Sequence, residues 1–201
     1  MQNPYSYVCN KVETLSAEAW QAIPAIELVE TANGEQPRLK TKVKACWNKD
    51  FVCFRFECED DYIVANFQHR DEPLYLEDVV EVFIDEVGDG RQYQEYEVSP
   101  HNVLFDAMVT NDLAGTIIPN EKWNAVGIET TAERIAEKNY VYSIKLSTDN
   151  FSIPIQSGSA WSVNFYRIDD DPHGNRHYWA WSPTGKINFH LPAHFGSMIF
   201  A

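Results

Sequence analysis

The chain has 201 residues, a length that fits one domain with a sizeable core and no need of disulfide or metal staples. Its net charge of −14 makes nucleic acid and anionic membrane surfaces poor partners, and leaves neutral ligands and cations open. Ten tyrosines and six tryptophans supply core filler and, equally, platforms for flat ligands.

The opening segment, MQNPYSYVCN, carries no basic stretch followed by an apolar run. It predicts no secretory signal and, by default, a cytoplasmic location. No apolar stretch is long enough to span a membrane. SAEAW, from Ser16 to Trp20, predicts one helical turn. KTKVKACW then places Val43, Ala45 and Trp47 on one face of a strand. After the turn NKD, FVCFRFECED sets Val52, Phe54, Phe56 and Cys58 on one face of the next. Cys46 and Cys53 flank that turn, so a cross-strand bridge competes with free thiols in a reducing compartment.

In LYLEDVVEVFID, Val80, Val82 and Ile84 alternate as one strand face, and Glu81 between them points the other way. An unpaired buried charge is costly, so Glu81 must meet water, a partner or a ligand. EVGDG predicts a tight turn, and RQYQEYEVS a strand with Glu95 and Glu97 on one face. NVLFDAMV follows as a strand, and TIIPNEKWN reads as a surface excursion. NAVGIETTA and NYVYSIKLS predict two more strands, STDNF a further helical turn, and WSVNFYRID a strand. IDDDPHGNRHY reads as a second excursion. In HYWAWSPTG the tryptophans are two apart and share a side, either packed in the core or standing as a ligand platform. FGSMIFA closes the chain as a short strand. Many short strands at close spacing predict an all-β fold, an antiparallel, jelly-roll-like β-sandwich in one domain across residues 1–201.

Enzyme signatures such as GxSxG, HExxH, a P-loop or GxGxxG are absent. Glu81, Glu95 and Glu97 fall on adjacent predicted strands. They read as a solvated sheet face, as acceptors for sugar hydroxyls, or as an acid–base pair for glycoside hydrolysis. RIDDDPHGN gathers Asp169, Asp170, Asp171 and Asn175, hard oxygen donors that suit a structural calcium ion. The competing reading is an acidic solvated loop. His190 and His194 are four apart, but Pro192 between them argues against a helix presenting both to one metal.

LYLEDVVEVFID resembles the hallmark strand of the family 9 carbohydrate-binding modules, in which an aromatic residue precedes an Asp-x-x-Glu-x-Phe-Ile-Asp run. TKVKACWNKDFVCFRFECED, WSVNFYRID, and WAWSPT followed by FHLPAHFGSMIF are similar to other parts of that family, from about Trp20 to Phe200. The resemblance implies a sandwich that binds a mono- or oligosaccharide without cutting it. It implies two aromatic residues clamping a sugar ring and a glutamate bonding its hydroxyls. Mapped by motif, Tyr75 takes the first aromatic position, Glu81 the glutamate, and Trp181 the second aromatic, with Trp179 its rival. Gln94 and Tyr96 stand in the strand where the family places a basic residue, and Tyr178 stands where it places an asparagine. Arg167 completes the expected ligand-binding set. The resemblance also implies structural calcium, a largely extracellular family, and association with glycoside hydrolases. The rival functions are a glycoside hydrolase or its accessory domain using paired carboxylates, and an interaction sandwich without a ligand.

Overall fold

The alternating runs become strands because β-branched and aromatic residues on every second position give each strand an apolar face to bury. The structure, a computed structural model, describes residues 4–201. In chain order the elements are β1 (Ser6–Lys11), α1 (Ala17–Ala22), β2 (Ile26–Glu27), β3 (Val29–Glu30), β4 (Thr41–Trp47), β5 (Phe51–Glu59), a 3₁₀ turn (Leu74–Leu76) and β6 (Val79–Asp85). They continue with β7 (Gln92–Val98), β8 (Leu104–Asn111), β9 (Ile117–Asn120), β10 (Glu129–Ala136), β11 (Asn139–Ser147), β12 (Ala160–Asp170), β13 (Arg176–Ala180) and β14 (Gly196–Phe200). The Ser16 hydroxyl accepts from the Ala19 amide at 3.1 Å and starts α1, as the sequence predicts. Among the described residues no helix is long and apolar enough to cross a membrane.

The strands join in the order β10-β11-β5-β4-β1-β14-β12-β6-β7-β8-β9. The sheet is mixed, which corrects the expectation of purely antiparallel pairing. β1 runs parallel to β14 along Ser6–Cys9 and parallel to β4 along Asn10–Lys11. Alternation reports which face a residue takes and carries no information about the direction of its partner strand. A parallel pair needs only a long connection, and both joins of β1 have one. TIIPNEKWN is a second correction: Ile117–Asn120 is not a free excursion but pairs with β8 as an edge strand.

The sheet curls over on itself, so that Phe54 and Phe56 of β5 meet Phe165 of β12 at 5.6 and 6.0 Å. Val43, Ala45, Trp47, Val80, Val82 and Ile84 fill the same core. On the outer face of β6, β7, β8 and β12 lies a second apolar cluster, including Leu74, Phe83, Tyr93, Phe105, Tyr166 and Phe195. Connecting segments cover it, and β6 is therefore buried on both faces. Glu81 sits on that second face. All four cysteines are free and buried, with Cys46 directly opposite Cys53.

Gly196 opens β14 beneath the Trp181 indole, and a Cβ there would lie closer to the ring than real Cβ atoms come. The ring cannot retreat, because Tyr5, Tyr7 and Phe165 surround it at 6.1, 6.5 and 5.7 Å. Gly196→Ala is expected to destabilise the fold by about 1–3 kcal/mol through overpacking, read as a lower urea midpoint at unchanged slope.

Candidate functional site

A cavity of about 470 Å³ opens on the outer face of β6 and β7, within the range of small-molecule sites. Each wall follows from a local rule. Leu74 is buried in the second cluster and anchors the 3₁₀ turn, which leaves Tyr75 and Leu76 about half exposed at the mouth. The Asp78 carboxylate accepts from the amides of Val64 and Asp170, both at 2.7 Å, and fastens the turn to β12. Alternation on β13 sends Tyr178 outward to the cavity while its neighbour Trp179 turns into the core. The 187–190 segment closes the far side: Phe189 stacks on Tyr166 at 4.0 Å, and Tyr93 Oη lies 2.8 Å from His190 Nδ1.

The floor is acidic. Glu81 and Glu97 are directly opposed across β6 and β7, and Glu95 follows two residues along on the same face. One carboxylate oxygen from each lies within 4.8 Å of the others, and all three side chains are buried. Burial, reinforced by the other carboxylates, holds Glu81 and Glu97 well above the usual carboxylate range. Burial pushes Glu95 up to about 8. Glu95 and Glu97 share a hydrogen bond, and the Tyr75 amide donates to Glu97. Glu81 Oε1 and Glu97 Oε2 meet no donor at all. The guanidinium that lines the cavity, that of Arg176, is committed to Asp170 at 2.7 and 2.9 Å and to the Leu76 carbonyl. His190 is kept neutral by burial, its pKa lowered to about 4. Glu81 and Glu95 thus line an apolar and aromatic enclosure, and Glu97 lies buried beside them.

Of the expected ligand-binding residues, the cavity unites Tyr75, Glu81 and Tyr178. The others lie elsewhere. Gln94 and Tyr96 alternate with Glu95 and point to the inner core, where Tyr96 Oη donates to Gln94 Oε1 at 2.6 Å and Gln94 donates to the Asn150 carbonyl. Trp181 is buried among Tyr5, Tyr7 and Phe165. The Trp179 indole donates to Glu30 at 2.9 Å, and its ring lies 5.0 Å from the Arg167 guanidinium. Neither tryptophan offers a free face to a sugar, because an indole supplies more buried apolar area to the core than any other side chain. Arg167 is opposite Val80 in the β6–β12 register and so points inward. It donates to Thr41 Oγ1, the Glu59 carbonyl, Asp60 and Asp169.

Asp169, Asp170, Asp171 and Asn175 do not fit a calcium cage. Alternation sends Asp169 to Arg167 and Arg38 and sends Asp170 to Arg176. Asp171 caps the β12–β13 turn, accepting from the amides of His173 and Asn175 and from Asn175 Nδ2. Their oxygens are satisfied by cationic and amide donors, and they do not converge. The group that does converge among the described residues is Glu81, Glu95 and Glu97.

Sequence reasoning missed Phe105, Glu121, Asn188, Phe189 and His190 as cavity residues. His190 was visible only as half of a poorly spaced histidine pair. The others sit on segments whose path depends on what they cover.

The family described as carbohydrate family 9 binding domain-like matches residues 13–201. A protein of Arthroderma benhamiae described as an extracellular protein is 24% identical over 195 residues, 90% of this chain and 86% of its own length. A candidate carbohydrate-binding protein from Bacteroides uniformis has a similar structure, with TM-score 0.78 and 16% identity over 98% of this chain and 99% of its own. A family 9 carbohydrate-binding module from Caldicellulosiruptor kristjanssonii in complex with glucose superposes with TM-score 0.71 and 15% identity over 98% of this chain and 95% of its own. A family 9 module of the same organism in complex with cellotriose gives 0.71 and 14% identity, over 97% of this chain and 93% of its own. The fold is thus the family 9 module fold, and the match across nearly the whole chain establishes that this protein belongs to the carbohydrate family 9 binding domain-like family.

Proposed function

We propose that the chain binds a mono- or short oligosaccharide, without cutting it, in the cavity between Tyr75 and Tyr178. The observation that carries this reading is the combination, in one enclosure, of aromatic walls with the carboxyl groups of Glu81 and Glu95. A pyranose matches that combination, having apolar C–H faces and a rim of hydroxyls. The ring of Tyr75 covers a C–H face, and the carboxyl groups of Glu81 and Glu95 bond the hydroxyls. Because Glu95 and Glu97 share a proton, the floor both accepts from and donates to hydroxyls. Family membership and the glucose and cellotriose complexes of the relatives support a sugar over other polar ligands.

The test is calorimetry against the best hit of a glycan array. Tyr75→Ala is expected to weaken binding about 30-fold, the cost of about 2 kcal/mol typical of a truncated anchoring aromatic. Glu81→Gln is expected to weaken it less, since it keeps the shape and one acceptor. A folded Tyr75→Ala protein that binds as tightly as wild type overturns the site, and the absence of any glycan hit overturns the function.

A further inference from the structure

We infer that Glu81, Glu95 and Glu97 form a binding site for a divalent, calcium-like cation at the floor of the cavity. Two independent observations meet there. The first is convergence: three carboxylates on two adjacent strands bring one oxygen each within 4.8 Å of the others. That spread is spanned by an ion with bonds of about 2.3–2.6 Å, the calcium–oxygen range. The second is the state of those oxygens. Glu81 and Glu97 are each only 1% exposed, yet Glu81 Oε1 and Glu97 Oε2 meet no protein donor. A buried acceptor normally has a partner, and an orphaned one marks a missing ligand or a deliberate strain.

The surroundings exclude the alternative of an internal counter-ion. Arg176 is held by Asp170, and His190 is held neutral by burial. Glu121, also on the cavity lining, adds a further negative charge beside Glu95. An all-oxygen, anionic donor set suits calcium, magnesium or manganese and not a soft metal. Three protein donors leave most of a calcium shell to other oxygens, supplied from the cavity that Glu81 and Glu95 line. Water fills those positions in the free protein, and on the sugar-binding reading two neighbouring hydroxyls of the ligand take them. Only this last step rests on that reading; the cation site stands on the triad alone.

The experiment uses the full chain, stripped with chelator and titrated with calcium chloride by calorimetry at neutral pH. One ion per chain is expected, with a dissociation constant of roughly 10⁻⁵–10⁻³ M. The other ionisable groups facing the triad are Glu121, His190, Tyr93 and Tyr166. Glu81→Gln and Glu97→Gln, singly and together, keep the side-chain volume, and unchanged thermal unfolding of the free variants certifies their fold. The double variant is expected to lose at least about 100-fold in calcium affinity. Three results overturn the site: no binding of calcium, magnesium or manganese up to about 10 mM, above the weakest carboxylate sites; wild-type affinity in the folded double variant; or loss of binding in Asp171→Asn, which moves the ion to the β12–β13 turn. Glycan binding is measured separately with and without calcium. Cation binding without any glycan binding defeats the sugar reading and leaves this site standing.

Discussion

Trp181→Ala is expected to lower the unfolding free energy by about 3–5 kcal/mol, the range for deleting a fully packed large aromatic. The indole is 4% exposed and closes the inner core where β1, β12 and β14 meet, over Gly196 and against Tyr5, Tyr7 and Phe165. The hole cannot refill, since the glycine below has no side chain, β1 and β12 hold Tyr7 and Phe165, and the Ser197 amide donates to the Tyr5 carbonyl at 2.9 Å. Sugar affinity measured on the folded fraction, at low temperature or with a stabilising osmolyte, is expected to stay within a factor of a few of wild type. Urea denaturation separates this from a binding role. A variant with wild-type stability and lost affinity would put Trp181 in the site and return the cavity assignment to doubt.

Arg167→Leu is expected to cost a similar amount, about 3–5 kcal/mol near neutral pH, because it strands two buried carboxylates. The guanidinium is 2% exposed and bonds Asp60 and Asp169, which are 1% and 0% exposed, besides Thr41 and the Glu59 carbonyl. Even with Arg167 present, burial outweighs its charge and pushes Asp60 up to about 6 from an ordinary 3.8. Without it, the folded-state values of both acids rise further. A group whose folded pKa exceeds its unfolded one supports the fold below the unfolded value and loses that support as pH climbs through the folded value. The defect of Arg167→Leu is therefore smallest near pH 4 and grows toward alkaline pH. Asp60→Asn and Asp169→Asn added to Arg167→Leu should recover much of the loss. Urea unfolding across this pH range checks the sign, and a defect independent of pH would mean that packing, not stranded charge, is what Arg167 supplies.

The strands were legible because alternation is a local property. Val80, Val82 and Ile84 face the inner core and Glu81 faces away, as the pattern in DVVEVFID requires. Glu95 and Glu97 share the face of Glu81 for the same reason, and that alone already sends Gln94 and Tyr96 to the opposite side. The motif mapping that placed all of these around one sugar contradicted the pleat. Trp179 and Trp181 repeat the lesson: spacing puts both on one side of the chain but cannot say what covers that side, and the curl of the sheet decides it. The second apolar layer was illegible, because it depends on how segments 61–78 and 182–195 lie over β6. That layer converts a carboxylate expected at a sheet face into one at the bottom of a cavity. The acids of the β12–β13 turn read as a calcium loop in the sequence because their pairings, Asp169 with Arg38 and Arg167 and Asp170 with Arg176, are made only in the folded sheet.

The parallel seam of β1 has a consequence for the order of assembly. Ser6 lies opposite Ser197 and Cys9 opposite Phe200, so this pairing joins segments far apart in the sequence. The hairpins β4–β5, β6–β7, β7–β8 and β10–β11 close short loops and can form while most of the chain is still disordered. β1 cannot find its parallel partner until β14 exists, and such non-local pairing is slow. During synthesis the two halves of the sheet therefore mature separately, with β1 unpaired at its β14 edge until β14 emerges. An early stop or a lesion in β14 leaves both halves built but unstitched, exposing the inner core at the seam to proteases and to the edges of other chains.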